Sequence, residues 1–216
     1  CIRDSQRTVQ AEPLGPPPQP RSADAATPVA FAVVSVRSLP PPVRFDAVLR
    51  AVEGTTILLL PEAASRQLPS RGQVAVRGTI DGNPFEAVVE PDGEFGHWLR
   101  IDEERRQAAR LSSGDEVAIE LAVAEEWPEP KLPSDLEAAL SAAPDKVRAR
   151  WQDITPMARW EWVRWVNATR NPDTRRRRVE VSISKLSSGK RRPCCFNLAA
   201  CTDPELSRNG RLVEGV

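Results

Sequence analysis

No stretch of this chain approaches the ~20 uninterrupted apolar residues that a membrane-spanning helix requires, which excludes an ordinary helical membrane protein. Cysteine is scarce, at four in 216 residues. That is too few for a disulfide-dense secreted scaffold. Histidine occurs once, as His97, and methionine once, as Met157. There is no HExxH zinc motif, no P-loop and no dinucleotide fingerprint. No serine or cysteine nucleophile motif accompanies His97, so a triad has little support. His97 beside Asp92 or Glu94 is left as a general base in principle only. The chain opens on Cys1 rather than a methionine. One reading is a mature lipoprotein with a lipidated first residue; the expected one is a fragment boundary, since no signal peptide is visible.

What is abundant is proline, at 21 residues, roughly twice the usual share. Residues 1–42 hold nine of them, in clusters at 13–20 and 40–42 with Pro28 between. Proline lacks a donor and favours extended polyproline geometry, so 1–42 reads as a disordered leader, with one candidate strand at 29–36. At 40% apolar residues the remainder has enough for one large or two small packed units. Net charge is zero but unevenly spread. Residues 43–144 carry 10 basic and 19 acidic groups, and residues 145–192 carry 14 basic and five acidic. A reversal of that size marks two units with different surfaces.

From Val43 the pattern has period two. VRFDAVLRAV sets Phe45, Ala47 and Leu49 on one side, as a half-buried strand does. Further strands are read at 55–60, 73–80, 85–89, 98–101 and 116–123, with turns at Gly54, Asp81-Gly82-Asn83 and Gly114-Asp115. Gly93–Trp98 reads as another hairpin turn. No helix clearly starts after its glycines, as a phosphate loop would need. Pro61 looks like the start of a short helix and 102–110 like another. About six short strands at regular spacing predict a small closed or nearly closed barrel. Its core is expected from Leu58, Leu60, Val74, Val76, Ile80, Val88, Val117, Ile119 and Leu121.

After Trp127 the period becomes helical. LEAALSAA and DKVRARWQDI are two helices. Thr155 is a plausible N-cap, with Pro156 at the first helical position. In the helix that follows, Trp160, Val163 and Val166 with Met157 are expected to form the buried face, and Trp162 and Trp165 to lie on a neighbouring stripe. A last helix is expected to be capped at or near Asp173 and closed by Gly189. The fold class is therefore α+β. The division expected is leader 1–42, barrel domain 43–127, helical domain 128–192 and cysteine-bearing tail 193–216.

Together the strand run from TILLLPEAASRQLPSRGQVAVRGTIDGNPF to GDEVAIELAV, then LPSDLEAALSAAP, then WVNATRNPDTRRRRVEVSISKLSSGKR resemble the bacterial YdeI/OmpD-associated family. In that family a small barrel of unknown function precedes a helical domain. The resemblance spans about 43–192. Its frequent label, bacteriocin protection, implies a stress or antimicrobial-peptide role and brings no catalytic residues. The family commonly has a helix-end lysine before a threonine–arginine pair, whereas this chain reads Asn167-Ala168-Thr169-Arg170, so no role for that lysine carries over.

Two clusters carry alternative chemistry. Cys194, Cys195 and Cys201 fall within eight residues, directly after Lys190, Arg191 and Arg192. Cationic neighbours favour thiolates, which bind soft metals and form disulfides. The spacing is not that of a zinc ribbon, and simple packing beside Phe196 and Leu198 is the competing reading. Arg175 and Arg178, with Lys190, Arg191 and Arg192 and the nearby tryptophans, resemble a polyanion surface. Docking of these arginines on the acidic unit is the expected explanation. The function expected is a non-enzymatic binding or stress-protection protein, bacterial and cytoplasmic, taking a peptide or protein partner in the groove between barrel and helices and holding no cofactor. Alternatives are a thiol-redox or soft-metal protein acting through the three cysteines, or a nucleic-acid binder acting through the arginine helix.

Overall fold

The computed structural model describes residues 41–193 and 197–213. All but the last two residues of the leader read at 1–42, with its candidate strand at 29–36, lie outside those residues, as do Cys1, Cys194 and Cys195. Six strands close into a barrel: β1 Val43–Val52, β2 Thr55–Leu59, β3 Val74–Ile80, β4 Asn83–Pro91, β5 His97–Arg100 and β6 Glu116–Val123. Their order around the barrel is β1-β2-β5-β4-β3-β6. All neighbouring strands are antiparallel. Two short helices, α1 Glu62–Ser65 and α2 Glu103–Ala108, sit in the connections.

Turn chemistry explains the two tightest hairpins. Glu53 and Gly54 join β1 to β2 at φ 47 and 81, and Asp81 and Gly82 join β3 to β4 at φ 48 and 80. Two positive φ values in succession are the turn whose twist matches paired strands, and glycine adopts the second cheaply. Asp81 also ties its turn to β6, its Oδ1 accepting from the Ala118 N–H at 2.8 Å. Gly78 is required by closure itself. A Cβ there would stand 1.9 Å from the Glu120 carbonyl of β6.

The barrel core contains Leu58, Leu60, Val74, Val76, Ile80, Val117, Ile119 and Leu121, with Phe45 and Ala47 packed against it and Leu49 inside. Val88 departs from the expected set. Val89 is opposite Val74, and Ala87 is opposite Val76. Directly opposed residues share a face, so Val89 and Phe85 enter the core and Val88 points outward.

Four helices follow: α3 Ser134–Ser141, α4 Asp145–Asp153, α5 Pro156–Asn167 and α6 Pro172–Ser187. Thr155 caps α5 through the Ala158 N–H, with Pro156 next, as the sequence indicates. The cap of α6 is Asn171, whose Oδ1 accepts from Asp173 and Thr174 N–H at 3.0 and 2.9 Å. Asp173 sits instead in the first turn, where its charge favours the helix N-terminus. The helical core gathers Leu136, Leu140, Val147, Trp151, Ile154, Trp162, Val163, Val166 and Leu186. Trp162 is fully enclosed, at 0% exposed, whereas Trp160, expected in the core, is half-buried. The reason is that α5 is covered on more than one side. Glu161 and Arg164 are also buried, so a single apolar stripe assigns the wrong tryptophan.

The last described segment folds onto the barrel. A hairpin of β7 Ser207–Arg208 and β8 Arg211–Leu212 turns at Asn209 and Gly210. Cys201 and Leu206 pack with Val52, Ile57 and Trp98 in a third core. Leu212 N–H donates to the Asp92 carbonyl at 2.7 Å. Gly93, at φ 87, lies so close that a Cβ would stand 2.0 Å from the Gly210 carbonyl. No helix among the described residues is long and apolar enough to cross a membrane.

Candidate functional site

A cleft of about 520 Å³ opens where the barrel, the chain leading into α3, α5 and the C-terminal segment meet. Its barrel wall is β4 and β5, including Val88, Glu90 and Arg100. Trp160 and Arg164 come from α5, Lys131 from the connecting chain and Asp203 from the C-terminal segment. Trp160 is fixed in place by its indole Nε1, which donates to the Pro128 carbonyl at 2.7 Å.

Arg164 organises the floor. It is 6% exposed. Its Nη1 donates to the Leu198 carbonyl at 3.0 Å and its Nη2 to the Ala200 carbonyl. Its Nε faces Glu90 Oε2 at 3.1 Å. One guanidinium therefore joins α5, β4 and the C-terminal segment, using the fork geometry that lysine lacks. The other Glu90 oxygen accepts from Gln73 Nε2 at 2.5 Å. Desolvation in this enclosed place raises the Glu90 pKa, and Arg164 and Gln73 oppose that rise without cancelling it. Desolvation likewise lowers Arg164, with Glu90 opposing it. Gln73 Oε1 is buried without a hydrogen-bond partner among the described residues.

The other charges on the wall are also matched. Arg100 pairs with Asp203, Arg105 with Asp102 at 2.8 Å and Arg159 with Glu129. Exposed Glu86 and Lys131, at the rim, have no ion pair among the described residues. The cleft is thus close to neutral and internally braced, with an aromatic platform in the Trp160 ring.

The seam between β4 and β5 is the second property of this wall. Its register pairs only Glu90 with Trp98 and Pro91 with His97. Antiparallel strands alternate between opposed residues that exchange backbone hydrogen bonds and opposed residues that do not. Asp92 N–H donates to Gly96 O at 3.1 Å. Two steps along, Glu90 faces Trp98, and two steps further the same register sets Val88 opposite Arg100. The pairing does not reach that rung. The next one is taken over by Arg105, whose Nη2 donates to the Glu86 carbonyl at 2.8 Å. On its far side β5 is fully occupied by β2, with Ile101 N–H donating to Thr56 O at 2.9 Å.

Most residues singled out from the sequence lie elsewhere. Arg175 makes a two-pronged pair with Asp135, at 2.6 and 2.9 Å. Arg178 donates to the Trp165 carbonyl at 2.7 Å. Both hold helices together rather than dock on the barrel. Arg191 pairs with Asp153 at 2.8 Å and Arg192 with Glu161 at 3.4 Å, while Lys190 is exposed. Of the three clustered cysteines only Cys201 is among the described residues. It is 2% exposed, and desolvation pushes its thiol up to about 11. That is the opposite of the accessible, activated thiol expected from Lys190, Arg191 and Arg192. Those three cations are not among the groups that act on its thiol. Among the described residues no group of three or more His, Cys, Asp or Glu is placed to hold a metal ion. His97 is 1% exposed. Its Nε2 meets the Gly72 carbonyl at 3.0 Å, and burial lowers its pKa, so it ties β5 to the loop that leads into β3.

Sequence reasoning missed Glu90, Gln73 and Arg164. One signal was available: Arg164 interrupts the apolar run between Val163 and Trp165, where a cation must find buried partners.

Residues 45–121 match the family model described as "Domain of unknown function (DUF1905)". Residues 129–189 match the model described as "Bacteriocin-protection, YdeI or OmpD-Associated". No curated protein matches the chain.

Proposed function

The chain carries a DUF1905 domain followed by a YdeI/OmpD-associated domain, and we propose that it is a non-enzymatic binding protein whose ligand site is the cleft between them. Its setting in this proposal is the bacterial cytoplasm, in protection against stress or bacteriocins. The observation that carries this reading is the cleft's charge arrangement. Arg164 with Glu90, Arg100 with Asp203 and Arg105 with Asp102 engage one another. Glu90 Oε1 accepts from Gln73 and Oε2 is ion-paired with Arg164, which supports a recognition wall over proton transfer to a substrate. A fixed indole and a neutral wall suit a ligand that stacks and hydrogen-bonds.

The test is an amide and indole NMR spectrum of the full chain, titrated with a library of small polar fragments and linear peptides. Shifts clustered on the Trp160 indole, Lys131 and Arg100 support the cleft. Binding confined to other surfaces, or no binding at all, overturns it. Survival of cells bearing the chain under bacteriocin exposure, against cells bearing Lys131→Ala, tests the protective role.

A further inference from the structure

The rung that the β4–β5 pairing does not reach leaves a defined set of groups in the cleft. Val88 and Arg100 each turn a backbone N–H and C=O toward the other strand, and the ladder between them stops at Glu90 and Trp98. Both residues line the cleft. Backbone groups are obligatory hydrogen-bonders, costly to leave unpaired. The fold itself holds the seam open. Arg105 fills the Glu86 carbonyl at one end, and the Arg100 side chain is engaged by Thr55 and Asp203.

We propose that the Val88 edge of β4 is a docking site for an extended peptide segment, which adds to the barrel as a short strand inside the cleft. This deepens the cleft-binding reading and rests on it. One residue of an extended chain presents an N–H and a C=O spaced to exchange both bonds with Val88, as in any antiparallel bonded pair. Side chains then alternate along the segment. One set meets the Trp160 and Val163 wall of α5, and charged side chains reach Glu86 and Lys131 at the rim. Main-chain bonds supply affinity and the aromatic wall supplies selectivity, as in strand addition generally.

The probe is a displayed library of linear dodecapeptides selected against the full chain, run beside the fragment titration. Each selected peptide is then N-methylated one residue at a time. The expected result is about a tenfold or greater loss of affinity at the residue opposite Val88, with its immediate neighbours tolerated because their N–H groups point away. The Val88 amide is expected to exchange rapidly in the free protein and to become protected in the complex. Tolerance of N-methylation at every position, or an unchanged Val88 exchange rate, overturns the proposal. Fragments that occupy the cleft while no linear peptide is selected overturn the strand addition and leave the cleft as a binding site. Failure of both probes removes both readings.

Discussion

Arg164 on α5 and Glu90 on β4 meet at 3.1 Å, and theirs is the ion pair that joins helices to barrel among the described residues. The arginine is 5% exposed at its side chain and the glutamate 24%. At that burial the pair is shielded from salt far better than a surface pair. The join between the two folded parts is therefore expected to survive high salt. Breaking it by substitution is another matter.

Arg164→Met removes the cation and two bonds to the Leu198 and Ala200 carbonyls while leaving Glu90 enclosed. Removing one partner of a buried pair costs about 3–5 kcal/mol. Urea denaturation measures the loss. The double variant Arg164→Met/Glu90→Gln should recover part of it, because the stranded carboxylate is then gone. Equal losses in single and double variants would show that the pair itself is not what is broken.

Glu90 also gives the fold a pH dependence with a definite sign. Its carboxyl is raised above 4.5, chiefly by desolvation, so the folded state holds the proton more tightly than the unfolded chain. Its contribution is present below the unfolded value and is lost as pH rises through the folded one. Wild type should therefore lose stability relative to Glu90→Gln over that rise. Urea midpoints across a pH series test this, and a difference that does not vary with pH refutes it.

The thiol of Cys201, pushed up to about 11, should react with iodoacetamide slowly in the native protein at pH ~8. A shift of two units lowers the thiolate fraction roughly a hundredfold, before enclosure slows the reagent further. In denaturant the rate should rise to that of an ordinary cysteine. Mass spectrometry of the modified peptide follows it. A native rate equal to the denatured one would mean the third core is open.

Ile119 and Val88 test the barrel's phase. Ile119 is 3% exposed, and Ile119→Ala should cost about 2–5 kcal/mol. Val88 faces outward, so Val88→Ala should cost about 1 kcal/mol or less. Thermal or urea unfolding of the two variants separates them. Equal costs would place β4 one residue out of register.

How much of this was legible beforehand varies with the range of the interaction. Hairpins were readable because a local pair such as Asp81-Gly82 determines the turn, and alternation in VRFDAVLRAV determines the face. Val88 was misassigned because the apolar run Ala87-Val88-Val89 carries no phase. Only pairing with Val74 and Val76 supplies it. Trp160 was misassigned because α5 has more than one covered side. The charge reversal between 43–144 and 145–192 pointed to docking through arginines. The structure uses Arg175 and Arg178 within the helices, and Asp135, counted with the acidic stretch, lies on α3. The groove between barrel and helices was expected, but its floor could not be read, since Gln73, Glu90 and Arg164 are brought together by long-range pairing that no local pattern records.

The segment from Asn197 to Val213 lies beyond both matched stretches, which end at 121 and 189, yet Cys201 and Leu206 complete a core with Trp98 and Ile57. The unit that must be produced to obtain a well-behaved barrel is therefore longer than the family boundaries suggest. A chain cut after Gly189 would present Val52, Ile57 and Trp98 to solvent as a contiguous apolar patch, the kind of surface that drives self-association. It would also leave Arg164 without its two carbonyl acceptors. Expression work that trims to the family boundaries would meet precipitation and read it as an unstable domain, when what is missing is a covering strand pair.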